Sequence, residues 1–173
     1  ALGDTEKMQR RLYELNSTAS KETQGSEGEP SWKDFEAFQQ QVCGAKWYRP
    51  AGQMVVIERA TGKWAAMSAI TRFEGQDHAY NLFTGVDRAY RGRKLGQAVK
   101  VTALRYAREV LGVKSVHTHH NTKNPPMLAM TMSPVCCSCT RVRISVISAR
   151  PAILRSVKAL SPTRMRNASP VVG

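Results

Sequence analysis

The stretch that most restricts how this chain can fold is Val86 to Ala98, V-D-R-A-Y-R-G-R-K-L-G-Q-A. An apolar, β-leaning run, Ala79 to Val86, precedes it, and a helical pattern from Lys94 to Leu111 follows. A strand therefore feeds a glycine-bearing turn that opens a helix. Such a turn leaves backbone N–H groups without intrahelical partners, with the positive end of the helix dipole behind them, and so suits a phosphate or pyrophosphate. Gly92 and Gly96 let backbone and ligand approach closely, and Arg91, Arg93 and Lys94 add positive charge at the same place. Neither common nucleotide signature is present: there is no G-x-x-x-x-G-K-[ST], and no G-x-G-x-x-G with an acidic residue about 20 positions on.

The surroundings supply a consistent order of elements. Met8, Leu12 and Leu15 recur at helical spacing within Asp4–Leu15, Asn16 to Pro30 reads as a mobile loop, and Ser31 with Asp34 resembles a capping box before a helix over Trp32 to Val42. Met54 to Glu58 and Trp64 to Phe73 flank the turn Ala60–Lys63, which predicts a hairpin. Leu95, Ala98, Val99, Thr102, Tyr106 and Val110 mark the face of the long helix expected to lie on the sheet. Val113 to His119 alternates as a further strand, and Asn124-Pro125-Pro126 turns into a short helix carrying Met127, Leu128 and Met130.

Two helices, an antiparallel meander and then strand, helix, strand, helix is an order that resembles the GNAT superfamily of acyl-CoA-dependent N-acetyltransferases. Its motif A, often V-x-P-x-x-R-G-x-G-x-[GA], stands here as Val86 to Gly96, with Arg88 where proline is common and Lys94 where the middle glycine is expected. The stretch H-T-H-H-N-x-x-N-x-P-M-L-A resembles the family's second acetyl-CoA element. The likeness runs from about residue 32 to 130 and is similar to the C-terminal half of tandem-GNAT proteins. It implies an α/β (α+β) fold: a mixed, mostly antiparallel sheet flanked by helices, with a V-shaped strand opening at the acetyl-CoA site.

The resemblance also implies roles. Acetyl-CoA, as co-substrate, would meet Thr84, Gly85 and Val86 through their backbone, Arg91 to Ala98 (Arg91, Gly92, Arg93, Lys94, Leu95, Gly96, Gln97, Ala98) at its pyrophosphate, and Asn124 or Asn121 at its pantetheine arm. A valine at Gly96 is expected to enter the pyrophosphate space without disturbing the core. Acetyl transfer to an amine needs N–H donors for the thioester carbonyl and a group to take the amine's proton; Asp77, His78 and Tyr80 lie close to the start of the relevant strand. Many members place a tyrosine acid seven residues after the second-element asparagine, and Thr131 stands there. The implied activity is transfer of acetyl from acetyl-CoA to a small-molecule or peptide primary amine by direct attack; a catalytically inactive CoA-binding or regulatory domain is the alternative.

Charge and cysteine usage narrow the rest. The formal charge is +13, yet all 13 acidic residues lie at or before Glu109 while basic residues continue to Arg166, so the excess belongs to the C-terminal third. That charge lacks interleaved aromatics, which speaks against a specific nucleic-acid binder. No apolar run approaches the roughly 20 residues a membrane span needs. Cys136, Cys137 and Cys139 are bunched rather than spaced as a disulfide framework, which points to a reducing cytoplasm; an N-terminus without an apolar h-region or an initiator methionine argues against a signal peptide and points to a fragment. His117, His119 and His120 lack partners at metal-ligand spacing, so no metal site is expected. The domain reading is residues 1-30 as helix and mobile loop, 31-130 as the acetyltransferase-like domain, and 131-173 as a basic, aromatic-free tail of divergent or out-of-frame character. Such a tail is expected to leave the strand at Val113–His119 as an open sheet edge prone to self-association, unless Val142–Ile147 docks on it.

Overall fold

A computed structural model describes residues 4–21, 31–121, 124–132 and 141–147, with the backbone alone described for Asn121, Pro126 and residues 141–147. Five strands form one sheet in sequence order: β1 (Gln53–Ile57), β2 (Trp64–Thr71), β3 (Ala79–Val86), β4 (Ser115–Asn121) and β5 (Arg141–Ile147). The sheet is mixed, as expected. β1–β2 and β2–β3 are antiparallel and β3–β4 is parallel, so β1 to β4 are mostly antiparallel; β5 then adds a second parallel pair.

Each face of the sheet carries its own core. On one side, α1 (Glu6–Lys21) and the short α2 (Phe35–Phe38) bury Leu12, Leu15, Trp32 and Phe38 against Trp64 and Met67. On the other, α3 (Leu95–Glu109) packs Ala103, Leu104 and Ala107 onto Ile70, Ala79, Val113 and Val116. The face of α3 that meets the sheet differs from the one read off the sequence: Gly96, Val99, Lys100, Ala103, Leu104 and Ala107 are buried, whereas Ala98, Thr102 and Val110 are exposed. The buried stripe is mostly small residues, which allow close approach, and it includes a lysine that a hydrophobic pattern skips.

Helix α1 also runs through Asn16–Lys21, part of the expected loop. Its small polar residues are helical because tertiary partners take them: Trp32 Nε1 donates to Asn16 Oδ1 at 3.2 Å, and Ala19 lies against Gly85. The rest of that loop, 22–30, lies outside the described residues. The second helix starts at a different cap from the expected one: Asp34, not Ser31, accepts the Ala37 N–H at 2.8 Å, and the chain continues as a π turn over Gln39–Cys43.

The open edge expected at Val113–His119 is corrected. β5 pairs with β4 over its whole length, from Ser115↔Arg141 to Asn121↔Ile147, so the sheet's outer strands are β1 and β5. Val142, Ile144 and Val146 alternate with arginine and serine, a period-two pattern that forms a strand once a neighbour offers its edge. The expectations for residues 133–140 and 148–173 lie outside the described residues. Among the described residues no helix is long and apolar enough to cross a membrane.

Candidate active site

Strand β3 parts from β4 almost as soon as they meet. Only Ala79↔Val116, Tyr80↔His117 and Asn81↔Thr118 pair, after which β3 continues for five residues without β4. The cause is visible on the other side of β3, where its register against β2 slips between Ile70↔Asn81 and Ala69↔Phe83, leaving Leu82 as the extra residue of a bulge. A bulge bends its strand and adds twist, and here the bend starts one residue past the last β4 pair. This is the V-shaped opening that the family resemblance implied.

Asn81 plugs the bulge. Its Nδ2 donates to Ser68 Oγ (2.9 Å), the Ala69 carbonyl (2.9 Å) and the Phe83 carbonyl (3.3 Å), while Thr84 Oγ1 donates to Asn81 Oδ1 (3.2 Å). Ser68 and Thr84 share a further hydrogen bond of 3.0 Å, and Thr118 Oγ1 donates to the Asn81 carbonyl at 3.3 Å. All four side chains are buried. The Thr84 hydroxyl is thus spent inside the protein, which leaves the strand backbone as what Thr84 can offer a ligand. Gly85 is explained from the opposite face: a Cβ there would stand 2.7 Å from Ala19 Cβ and 2.6 Å from the Phe83 ring, so the close approach is by α1. Nothing in the sequence patterns singled out Ser68 or Asn81, although an asparagine inside the apolar run Tyr80 to Phe83 was the signal available.

The basic turn is braced to the β1–β2 hairpin. Asp87 accepts the Ala89 N–H (2.9 Å) and shapes a 3₁₀ turn over Arg88–Tyr90; Tyr90 Oη then donates to Glu58 Oε2 at 2.9 Å. Hydrogen bonds from Thr61 and Tyr90, with Arg93 and Lys63 nearby, hold the Glu58 carboxyl below the usual range. The Arg93 guanidinium lies 5.5 Å from the Tyr90 ring centroid and Arg91 Nε donates to the Val86 carbonyl at 3.4 Å. Both arginines are exposed, as is Lys94. Gly92 has φ +76 with open space where a Cβ would be, and Lys94, the N-cap of α3, has φ +58. A lysine has no side-chain acceptor, and Lys94 makes no side-chain cap to the first turn. Leu95 and Gln97 are half-buried and Ala98 is exposed. Gly96 departs from expectation: it is buried, and a Cβ would lie 3.1 Å from Val86 Cγ2 and 3.2 Å from Met130 Sδ, so its smallness serves packing of α3 against β3 and α4 (Pro125–Met132).

Two sets of side chains flank the fork on opposite faces. On the α1 side, Tyr80 Oη and His119 Nε2 share a hydrogen bond of 3.1 Å, their rings 5.2 Å apart at 29°. His78 stacks on His117 at 3.9 Å and pairs with Asp77 at 2.9 Å, which holds the Asp77 carboxyl low. On the α3 side, His120 Nε2 and Thr131 Oγ1 are 2.8 Å apart, both buried. Burial, then Lys100 and His119, pushes the His120 imidazole down to about 4. Asn124 caps α4, its Oδ1 accepting the Met127 N–H at 3.3 Å; Asn121 ends β4. The structure thus places Tyr80, Thr84, Gly85 and Val86 along the one strand that leads into the basic turn, and leaves Asp77 in the turn before β3, its side chain 97% exposed. Among the described residues, no three histidine, cysteine, aspartate or glutamate side chains converge as a metal site would require.

Comparison with known proteins agrees with this geometry. No curated protein matches the sequence. Among solved structures, the fold is similar to the ribosomal-protein-S18-alanine N-acetyltransferase of Escherichia coli, at 17% identity and TM-score 0.51 over 73% of this chain and 69% of that one. It is likewise similar to a spermidine N-acetyltransferase chimera from Vibrio cholerae (14%, TM-score 0.51, 73% and 74% covered). The aminoglycoside 6'-N-acetyltransferase of Acinetobacter haemolyticus matches at 15%, TM-score 0.50, with 73% and 83% covered. At such identities these likenesses show the fold. The model of the Acetyltransferase (GNAT) family matches residues 10–131, well over half of the sequence, and the chain belongs to that family.

Proposed function

We propose that this chain transfers the acetyl group of acetyl-CoA to a primary amine, on a small molecule or a peptide, by direct attack without an acyl-enzyme. The observation that carries this reading is the fork: β3 leaves β4 after three pairs and runs on as an unpaired edge into a basic turn at the start of α3. An edge of that kind offers backbone N–H and C=O groups at fixed spacing inside the protein, which suits both an amide-bearing arm and a polarised carbonyl oxygen. The turn supplies donors and positive charge for a pyrophosphate. Acetyl-CoA would contribute an activated acetyl thioester. Thr84, Gly85 and Val86 would hold that group through backbone contacts, Arg91 to Ala98 the phosphates, and Asn124 or Asn121 the arm between. Tyr80, Asp77 and His78 are the candidates for the amine's proton. The three structural neighbours are named as N-acetyltransferases of ribosomal-protein-S18 alanine, of spermidine and of an aminoglycoside antibiotic, which supports an amine as the acceptor class. Cys43, a half-buried free thiol, fits a reducing cytoplasm.

Calorimetric titration with acetyl-CoA and with pantetheine tests the site. Joint replacement of Arg91, Arg93 and Lys94 by glutamine is expected to weaken acetyl-CoA by roughly tenfold or more and to leave pantetheine nearly unchanged, an effect that shrinks with added salt. Equal losses for both ligands would sink the assignment. Thiol release with a panel of primary amines then separates transfer from the inactive alternative. One observation favours that alternative: Thr131 stands where many members carry a tyrosine, and its hydroxyl is buried against His120.

A further inference from the structure

We infer that His119, held by Tyr80, is the group that takes the proton from the attacking amine. The inference rests on the acetyl-transfer reading above and goes beyond it by naming a residue that the motifs did not.

His119 is the first residue of β4 beyond its last pair with β3, Asn81↔Thr118, so it stands where the two strands separate. Val116 belongs to the α3-side core, and alternation along β4 puts His117 and His119 on the opposite face together with Tyr80. Tyr80 is only 7% exposed, fixed by edge contacts with Phe73 and His117, whereas His119 is half-buried and remains open to a reactant. The phenol engages Nε2. Either atom can be the donor in that bond; we assign the tautomer in which Nε2–H donates to the Tyr80 oxygen, because it leaves the imidazole lone pair on Nδ1 to accept a proton. Burial keeps the imidazole below its ordinary pKa, which favours the neutral ring.

The competing groups are poorer bases. Asp77 is in open solvent and already bonded to His78, which is itself stacked on His117. His120 is on the other face, bonded to Thr131 and disfavoured as a cation by Lys100. Among the described side chains, Tyr80 bonds His119, His120 acts on it electrostatically, and His117, stacked on His78, lies two residues away on the same face; on β5 the register positions beside His117 and His119 are Arg143 and Ser145. In the step itself the neutral amine nitrogen bonds to the acyl carbon and the carbon–sulfur bond breaks. The nitrogen's proton passes to His119 Nδ1 and on to water, and the sulfur leaves as thiolate and takes a proton from water. Tyr80 is therefore a positioning residue.

The test uses the full chain and the variants His119→Gln and Tyr80→Phe, with acetyl-CoA calorimetry, thiol release against a primary-amine panel, and nitrogen NMR of the imidazoles in the ligand-free protein. His119→Gln is expected to bind acetyl-CoA within about twofold of the unaltered chain and to lose about 100-fold in amine-dependent thiol release. NMR is expected to show the Nε2–H tautomer at His119, titrating below pH 6.5, and Tyr80→Phe to weaken that tautomer preference. Retention of most of the activity by His119→Gln, or an Nδ1–H tautomer in the unaltered chain, overturns the inference while leaving acetyl-CoA binding intact. Failure of the unaltered chain to bind acetyl-CoA overturns the acetyl-transfer reading and this inference with it.

Discussion

Toward β2, strand β3 is paired from Tyr80 to Val86 with a single bulge, whereas toward β4 it is paired only over Ala79 to Asn81. The same eight residues thus form a closed seam on one side and an opening on the other. The difference between the seams comes from the closed one. The extra residue at Leu82 has to be accommodated against β2, and Asn81 accommodates it by bonding Ser68, the Ala69 carbonyl and the Phe83 carbonyl. The bend that follows carries the strand away from β4. An opening between two strands can therefore be built by a defect in a neighbouring interface, provided the polar groups the defect exposes are satisfied inside the protein.

The sharpest way to break that asymmetry is to remove the plug. Asn81→Leu keeps the volume and leaves Ser68, Thr84 and two backbone carbonyls short of their donor or acceptor in a buried place. The expected loss is about 3 kcal/mol of unfolding free energy, read from urea melts. The surviving folded fraction is expected to bind acetyl-CoA at least tenfold more weakly, because the bulge is free to slide and the strand to straighten. Unchanged stability would mean that the bulge is set by something other than Asn81.

The two strands of the opening can also be told apart by pH. His120, on β4, has its imidazole pushed down to about 4 against an ordinary 6.5, by burial first and by Lys100 second. The unfolded chain therefore binds a proton that the folded chain refuses, and stability rises with pH across that interval. The contribution is complete above pH 6.5 and is lost as pH falls toward 4. The full shift, discounted for solvent screening, amounts to about 2 kcal/mol. His119 shifts in the same direction and adds to it. Urea midpoints measured across this range are expected to fall with acid, and His120→Asn to flatten the curve. A flat curve in the unaltered chain would show that the ring is hydrated or that Thr131 does not hold it.

How far these features could be read from the sequence depends on whether they are local. The turn Arg91 to Gly96, the long helix and the alternation of β4 are patterns within one segment, and each was legible. The capping aspartate of α2 sat in the right place but was assigned the wrong role, since Ser31 and Asp34 both have acceptor side chains and only tertiary packing decides where the turn begins. The bulge was not legible, because it is a mismatch of register between β2 and β3 and has no composition of its own. The Tyr80–His119 pair joins residues 39 apart in sequence and exists only because β3 and β4 lie parallel in this register. Docking of Arg141–Ile147 was legible as a pattern and illegible as an outcome, since a lone alternating segment is a strand only if an edge receives it.

The smallest effect lies at the end of the opening, where Lys94 occupies a position at which the family pattern has glycine. Among the described residues it is the sole non-glycine with positive φ, at +58, and a side chain in that region costs roughly 1–2 kcal/mol relative to a right-handed conformation. Glycine would remove that cost but would bring additional freedom to the unfolded chain, worth about 0.5–1 kcal/mol. Lys94→Gly is therefore expected to stabilise the protein by about 0.5–1 kcal/mol, a rise of a few degrees in the melting midpoint. The same change removes one of the exposed cations at the turn and is expected to weaken acetyl-CoA several-fold at low salt and less at high salt. Stability and affinity would then move in opposite directions in one variant, the signature of a residue kept for its charge in a conformation it does not favour. If Lys94→Gly lowers stability, the lysine makes contacts that outweigh its backbone strain. If affinity does not change, its charge does not face the phosphates, and Arg91 and Arg93 are left as the cations that do.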